Sequence, residues 1–289
     1  MAIISLNLFS QCLSRNVDVT VVIPSDKVSS EAKHAADPGS YDAGAYLCTP
    51  PYKTLYLLHG LYGDHLDWLT QTRVRRLAEA YGLCVVMPSG ENKFYADSCA
   101  TGDHFGRFVS EELVELTRRT LPLSSRREDT FIGGLSMGGF GAITNGLRHP
   151  EVFSHIAAFS SGLLADDIAS SGEASGGRVT ASQYRCMFGL DDVRDFIGSS
   201  NDYNALADGL AAADNKPRVF LSCGAKDGLY PASVAFRDRL LADGFDVAWY
   251  EGPYAHEWEF WDLSLERALE WLPLGGAEAG LSSGNIGRD

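Results

Sequence analysis

The sequence predicts an α/β protein: one mostly parallel sheet with helices on both faces. Three observations predict it. From Thr54 onward, short apolar runs alternate with longer stretches of helical spacing. The runs 54–58 and 83–87 are apolar throughout, as suits strands buried on both faces rather than half-exposed ones. The chain of 289 residues, 45% hydrophobic and 21% charged, is large enough to bury such a core.

Taken in order, residues 3–9 and 17–23 read as an antiparallel pair at one sheet edge, closed by Pro24. Residues 25–53 carry Pro38, Gly39, Gly44, Pro50 and Pro51 and read as a long surface loop. Strand 54–58 follows, then a helix over 67–81 with Trp68, Leu69, Val74, Leu77 and Ala78 on one side. Strand 83–87, helix 108–121 and strand 130–134 continue the rhythm. A helix-compatible run over 142–147 and a strand over 155–160 come next.

Residues 163–216 interrupt the alternation. They are rich in Gly, Ser and Asp up to Gly177, with short helices near 191–196 and 203–213, and read as an excursion over the active edge of the sheet. Strand 219–223, helix 232–242, strand 245–250 and helix 257–272 complete the pattern. Pro231 suits the first turn of its helix. The expectation is a single domain over 1–274 and a frayed tail over 275–289.

Composition narrows the function. A formal charge of −14 disfavours nucleic acid and anionic membranes, which call for basic patches. The N-terminus lacks the basic region and continuous apolar core of a signal peptide, so a cytoplasmic location is expected. The six cysteines are scattered, with no C-x-x-C pair, and read as buried free thiols. There is no H-E-x-x-H motif and no ligand-spaced cluster, so neither metal nor other cofactor is expected.

The chemistry centres on Ser136. Gly134-Leu135-Ser136-Met137-Gly138 stands between a short apolar run and a helix-compatible one, the setting a nucleophile elbow requires. Glycines flank the serine because neighbouring side chains would collide in so sharp a turn. A second match, Gly280-Leu281-Ser282-Ser283-Gly284, lies in the Gly/Ser-rich tail without strand or helix around it. Only the first copy has the right context.

Two further positions fall where strands should end. Asp227 follows strand 219–223 on a glycine-flanked turn, and His256 lies between the last strand and the last helix. Taken alone, Asp227 is equally suited to capping a helix. Together with Ser136 they run Ser, Asp, His along the chain, one of three familiar serine-hydrolase orders. Serine is a poor nucleophile at neutral pH. His256 would accept its proton, and Asp227 would hold the imidazole in the right tautomer. A developing oxyanion needs two donors. The N–H of Met137 offers one and the turn His59-Gly60-Leu61 a second, from Leu61; His59 itself suits a structural role in that turn.

These residues carry a family likeness. Leu55-Tyr-Leu-Leu-His59-Gly60-Leu61, Val85-Val-Met-Pro88, Phe131-Ile-Gly-Gly-Leu-Ser136-Met-Gly-Gly and Cys223-Gly-Ala-Lys-Asp227 resemble the esterase D family. Asp67-Trp68-Leu69, Phe94-Tyr95-Ala-Asp97 and Ser124-Ser-Arg126-Arg-Glu128 most resemble its tributyrin esterase branch. The resemblance runs from about residue 17 to 272. It implies an α/β-hydrolase fold without a large cap domain, Ser136, Asp227 and His256 as triad, and Leu61 and Met137 as oxyanion donors. It also implies Trp68 and Tyr95 beside the acyl pocket, a small acyl ester as substrate, and a homo-oligomer.

The expected function is hydrolysis of short-chain acyl esters through an acyl-serine. A thioesterase acting on S-formylglutathione, or an acetyl or feruloyl esterase on carbohydrate esters, would use the same residues. From a different class, an inactive α/β-hydrolase-fold binding module would be expected to have lost part of this set.

Overall fold

The computed structural model describes residues 1–26, 48–172 and 179–275. Most of the expected loop over 25–53, part of the Gly/Ser-rich stretch before residue 178 and nearly all of the expected tail lie outside the described residues.

Eight strands, among the described residues, form one sheet: β1 (Ala2–Ser10), β2 (Arg15–Ile23), β3 (Thr54–Leu58), β4 (Cys84–Pro88), β5 (Thr130–Leu135), β6 (His155–Phe159), β7 (Arg218–Gly224) and β8 (Val247–Gly252). Their spatial order is β1-β2-β4-β3-β5-β6-β7-β8. β2 is antiparallel to both β1 and β4; the pairings from β4 to β8 are parallel. β3, β4, β5 and β6 are buried at every position, which is why their sequences are largely apolar and do not alternate. Two apolar layers cover the sheet. One contains Tyr56, Phe108, Phe140 and Phe236, the other Trp68, Phe131, Phe159 and Phe260.

Several boundaries differ from expectation for local reasons. The helix expected over 67–81 is two, Asp67–Gln71 and Val74–Tyr81. Thr72 is extended between them. Its hydroxyl donates to Trp68 O, and Asp262 Oδ1 accepts from Arg73 N–H at 2.8 Å. The stretch 108–121 begins as a π-helical turn, Phe108–Glu112, before the α-helix Leu113–Thr120.

The last strand begins at Val247, not 245. Phe245 N–H instead donates to Leu240 O after Gly244, whose φ is +74°, so the backbone here closes the end of helix Tyr230–Ala242. Helix Ala181–Phe188 lies where none was expected, started by a reciprocal cap between Thr180 and Gln183. Of the six free thiols, Cys84 and Cys223 are buried, but Cys99 and Cys186 are exposed, so burial does not hold for the set. Among the described residues no helix is long and apolar enough to cross a membrane.

Candidate active site

Ser136 occupies the turn between β5 and helix Met137–Arg148, with φ 52° and ψ −116°. A non-glycine residue avoids this region unless its surroundings over-determine it. Here they do. Ser136 N–H donates to Phe159 O at 2.9 Å, and Ser136 O accepts from Phe140 N–H at 3.0 Å and Gly162 N–H at 2.9 Å. The flanking glycines are needed for space. A Cβ on Gly138 would lie 2.4 Å from Leu58 O and 2.6 Å from His59 O, and one on Gly134 would lie 2.5 Å from Gly138 O.

Asp227 follows β7 and is buried; His256 follows β8. The structure brings both to Ser136. His256 Nδ1 is 2.8 Å from Asp227 Oδ2, and His256 Nε2 is 3.0 Å from Ser136 Oγ. Burial works against the charge on Asp227. The His256 ring and the Leu229 N–H, 2.9 Å from Oδ1, outweigh it, and the carboxyl sits below its ordinary range. The Trp261 ring stands nearly perpendicular to the imidazole, at 4.8 Å between centroids and 85° between planes, and backs its orientation.

The turn at His59 is held from several sides. His59 is buried, and burial pushes its pKa down. Its Nε2 accepts from Gly90 N–H at 2.8 Å, which leaves Nδ1–H to donate to Gly60 O at 2.7 Å. This contact fixes the approach to Leu61, which lines the cavity beside Ser136. Met137 opens its helix, so its N–H has no acceptor within the helix.

Trp68 and Tyr95 are not at the pocket. Both are fully buried and neither borders the cavity. They brace the turn from behind instead. Trp68 Nε1 donates to Leu58 O at 3.0 Å, while Tyr95 Oη accepts from His59 N–H at 3.1 Å and donates to His59 O at 3.3 Å. The neighbouring Phe94 does border the cavity. Phe94 and Tyr95 both have positive φ, so the chain turns sharply here, with Phe94 lining the cavity and Tyr95 fully buried.

The cavity has a volume of about 660 Å³. Leu61, Phe94, Leu164, Val179, Tyr184 and Leu229 supply apolar surface, and Asp167, Ser170 and Ser171 polar surface, around Ser136, Asp227 and His256. Sequence reasoning missed Leu164, Asp167, Tyr184 and Leu229. For Tyr184 a signal existed: the Thr180-Ala-Ser-Gln183 capping pattern announces its helix. Among the described residues no three His, Cys, Asp or Glu side chains are grouped to hold a metal ion.

Comparison with known proteins gives a consistent result. The family model described as "Putative esterase" matches residues 38–272. An acetyl esterase of Caldicellulosiruptor saccharolyticus is 36% identical over 274 residues, covering 94% of this chain and 98% of that protein. A fluorophosphonate-binding serine hydrolase of Staphylococcus aureus superposes with TM-score 0.77 at 27% identity, and an S-formylglutathione hydrolase of the same organism with TM-score 0.75 at 27%. Both alignments cover 94% of this chain and 98% of the other. The strand order and these superpositions define an α/β-hydrolase fold, and the chain belongs to this esterase family as a serine hydrolase of carboxylic esters.

Proposed function

We propose that the chain hydrolyses short-chain acyl esters, acetyl esters foremost, with Ser136 as nucleophile, His256 as general base and acid, and Asp227 as its orienting partner. The observation that carries this reading is the unbroken contact from Asp227 through His256 to Ser136 Oγ, opening into the cavity. Ser136 Oγ attacks the acyl carbon while its proton passes to His256 Nε2. The N–H groups of Leu61 and Met137 receive the charge that gathers on the carbonyl oxygen. The protonated imidazole then gives its proton to the departing alcohol. Water repeats the sequence on the acyl-serine and releases the acid.

Acetyl preference is supported by the acetyl esterase relative, and the likeness to the tributyrin esterase branch extends the expected range to butyrate. A cavity of about 660 Å³ exceeds what an acetyl group fills, so much of it is left for the alcohol. S-formylglutathione is the second reading, because a structural neighbour bears that name. The carboxylate of Asp167 in the wall weighs against this anionic thioester.

The test is a p-nitrophenyl series from acetate to palmitate run beside S-formylglutathione, with Ser136→Ala and mass spectrometry of a fluorophosphonate adduct. Highest kcat/KM at acetate to butyrate, loss of turnover in Ser136→Ala and an adduct on Ser136 are expected. Full activity in that variant would overturn the nucleophile. A preference for S-formylglutathione or long chains would overturn the substrate.

A further inference from the structure

We propose that the alcohol side of the cavity holds an ammonium group between Tyr184 and Asp167, so that the preferred substrates are acetyl esters of cationic amino alcohols; this rests on the ester-hydrolase reading above. The first observation is charge. The described residues lining the cavity include two carboxylates and no lysine or arginine, and Asp227 is already paired with His256. Asp167 is exposed, and its carboxylate has neither an ion pair nor a hydrogen-bond partner among the described residues. It also borders an adjoining cavity of about 400 Å³, where Asp166 stands beside it. The cation of that cavity, Arg239, is taken by Asp208, whose two oxygens lie 2.5 and 2.6 Å from its Nη2. A carboxylate without a counter-charge favours a bound cation, and a chain of net charge −14 draws cations from a distance.

The second observation is Tyr184. It is only 7% exposed and lines the same cavity, yet its hydroxyl has no hydrogen-bond partner among the described residues. A buried phenol normally finds one, so an orphaned hydroxyl in a cavity wall points to an atom of a ligand. Burial, then the Asp167 charge, push its pKa up, so the phenol keeps its proton. The two groups are neighbours that do not bond each other.

The aromatic part of the wall is rigid. Tyr184 stacks on Phe188 at 6.3 Å and 17° between planes, and Phe188 meets Phe94, also in the wall, at 5.6 Å. A protonated tertiary amine fits this setting. Its N–H would donate to Tyr184 Oη, its charge would lie beside Asp167, and its methyl groups would rest on aromatic surface that attracts cations. A neutral hydroxyl would reach the same partners but leave the Asp167 charge uncompensated.

Matched esters test the proposal. Dimethylaminoethyl acetate, protonated at neutral pH, and isoamyl acetate share a shape and differ in charge. At low salt kcat/KM is expected to be about tenfold higher for the amine. Asp167→Asn is expected to cut that ratio about two- to fivefold; comparing ratios between proteins cancels the unequal intrinsic reactivity of the two esters. Tyr184→Phe keeps the stacked ring and removes the hydroxyl. It is expected to lower dimethylaminoethyl acetate about two- to tenfold relative to acetylcholine, whose quaternary nitrogen has no N–H to donate. Equal kcat/KM for the amine and isoamyl esters, or a ratio unmoved in either variant, would overturn the proposal. So would a preference for hydroxyethyl acetate over both cations, which would assign the pair to neutral polyols. Failure to turn over any acetate, p-nitrophenyl acetate included, would overturn the ester-hydrolase reading, and this proposal with it.

Discussion

Asp227 Oδ2 lies 2.8 Å from His256 Nδ1, and this contact decides which ring nitrogen faces Ser136. A carboxylate can only accept, so Nδ1 carries the proton and Nε2 presents a lone pair to the hydroxyl. Asparagine would keep the shape while offering an N–H that favours the opposite tautomer. Asp227→Asn is therefore expected to lower kcat by roughly ten-thousand-fold with little change in melting temperature. Steady-state kinetics with p-nitrophenyl acetate beside a thermal melt check this; activity within tenfold of wild type would remove Asp227 from the mechanism.

Much of this was legible in the sequence, and the exceptions have physical causes. Strands 54–58 and 155–159 declare themselves because burial on both faces makes most of their residues apolar. Ser136, Asp227 and His256 are visible because each sits where a strand ends and a turn must begin. Phe245 misleads because an apolar residue after Gly244 can start a strand or close a helix, and hydrogen bonding to Leu240 decides it. Tyr95 and Trp68 mislead for a related reason. A large aromatic next to a catalytic turn looks the same in sequence whether it faces substrate or holds the turn from behind. The pocket walls at Leu164, Tyr184 and Leu229 come from segments whose placement depends on packing rather than on local pattern.

Gly138 tests how tightly the serine turn and the 58–61 turn are coupled. A methyl group there meets the carbonyl oxygens of Leu58 and His59 at 2.4 and 2.6 Å, and backbone cannot rotate away as a side chain can. Gly138→Ala should push the 58–61 turn away from Met137 and separate the two proposed oxyanion donors, the N–H groups of Leu61 and Met137. We expect a stability loss of about 1–3 kcal/mol and a fall in kcat of about a hundredfold or more. Urea unfolding and kcat measured together check the pair of effects. Normal kcat in the destabilised protein would show that the donors are not set by this contact.

His155 makes stability depend on pH away from the active site. It lies between the rings of Phe131 and Trp271, with Nδ1 2.8 Å from Ser154 Oγ and no partner at Nε2 among the described residues. Burial, then the nearby Arg218 and Arg127 charges, push its pKa down to about 4. The folded protein thus resists a proton that the unfolded chain accepts near pH 6.5. The contribution is fully present above pH 6.5 and is lost as pH falls through that value towards about 4, by up to about 3 kcal/mol. His155→Phe should be less sensitive across this window. Urea midpoints at a series of pH values check it, and parallel curves for the two proteins would show that His155 is not the titrating group.

Asp167 should shape selectivity rather than turnover. It is an exposed carboxylate in the wall of the cavity that contains Ser136, and the structure gives it no ion pair among the described residues. At several ångströms and high effective dielectric, one such charge changes the binding of a charged group by about 0.5–1 kcal/mol. Asp167→Asn is therefore expected to raise kcat/KM about two- to fivefold for esters with a carboxylate on the alcohol side, and for S-formylglutathione, while leaving p-nitrophenyl acetate unchanged. The gain should shrink as salt is added, because an exposed charge is screened within about a Debye length. A uniform rise for neutral and anionic substrates alike would mean that the substitution had altered the shape of the wall, not its charge. With the neutral ester as internal control, the anionic-to-neutral ratio at low and high salt isolates the electrostatic part of substrate choice.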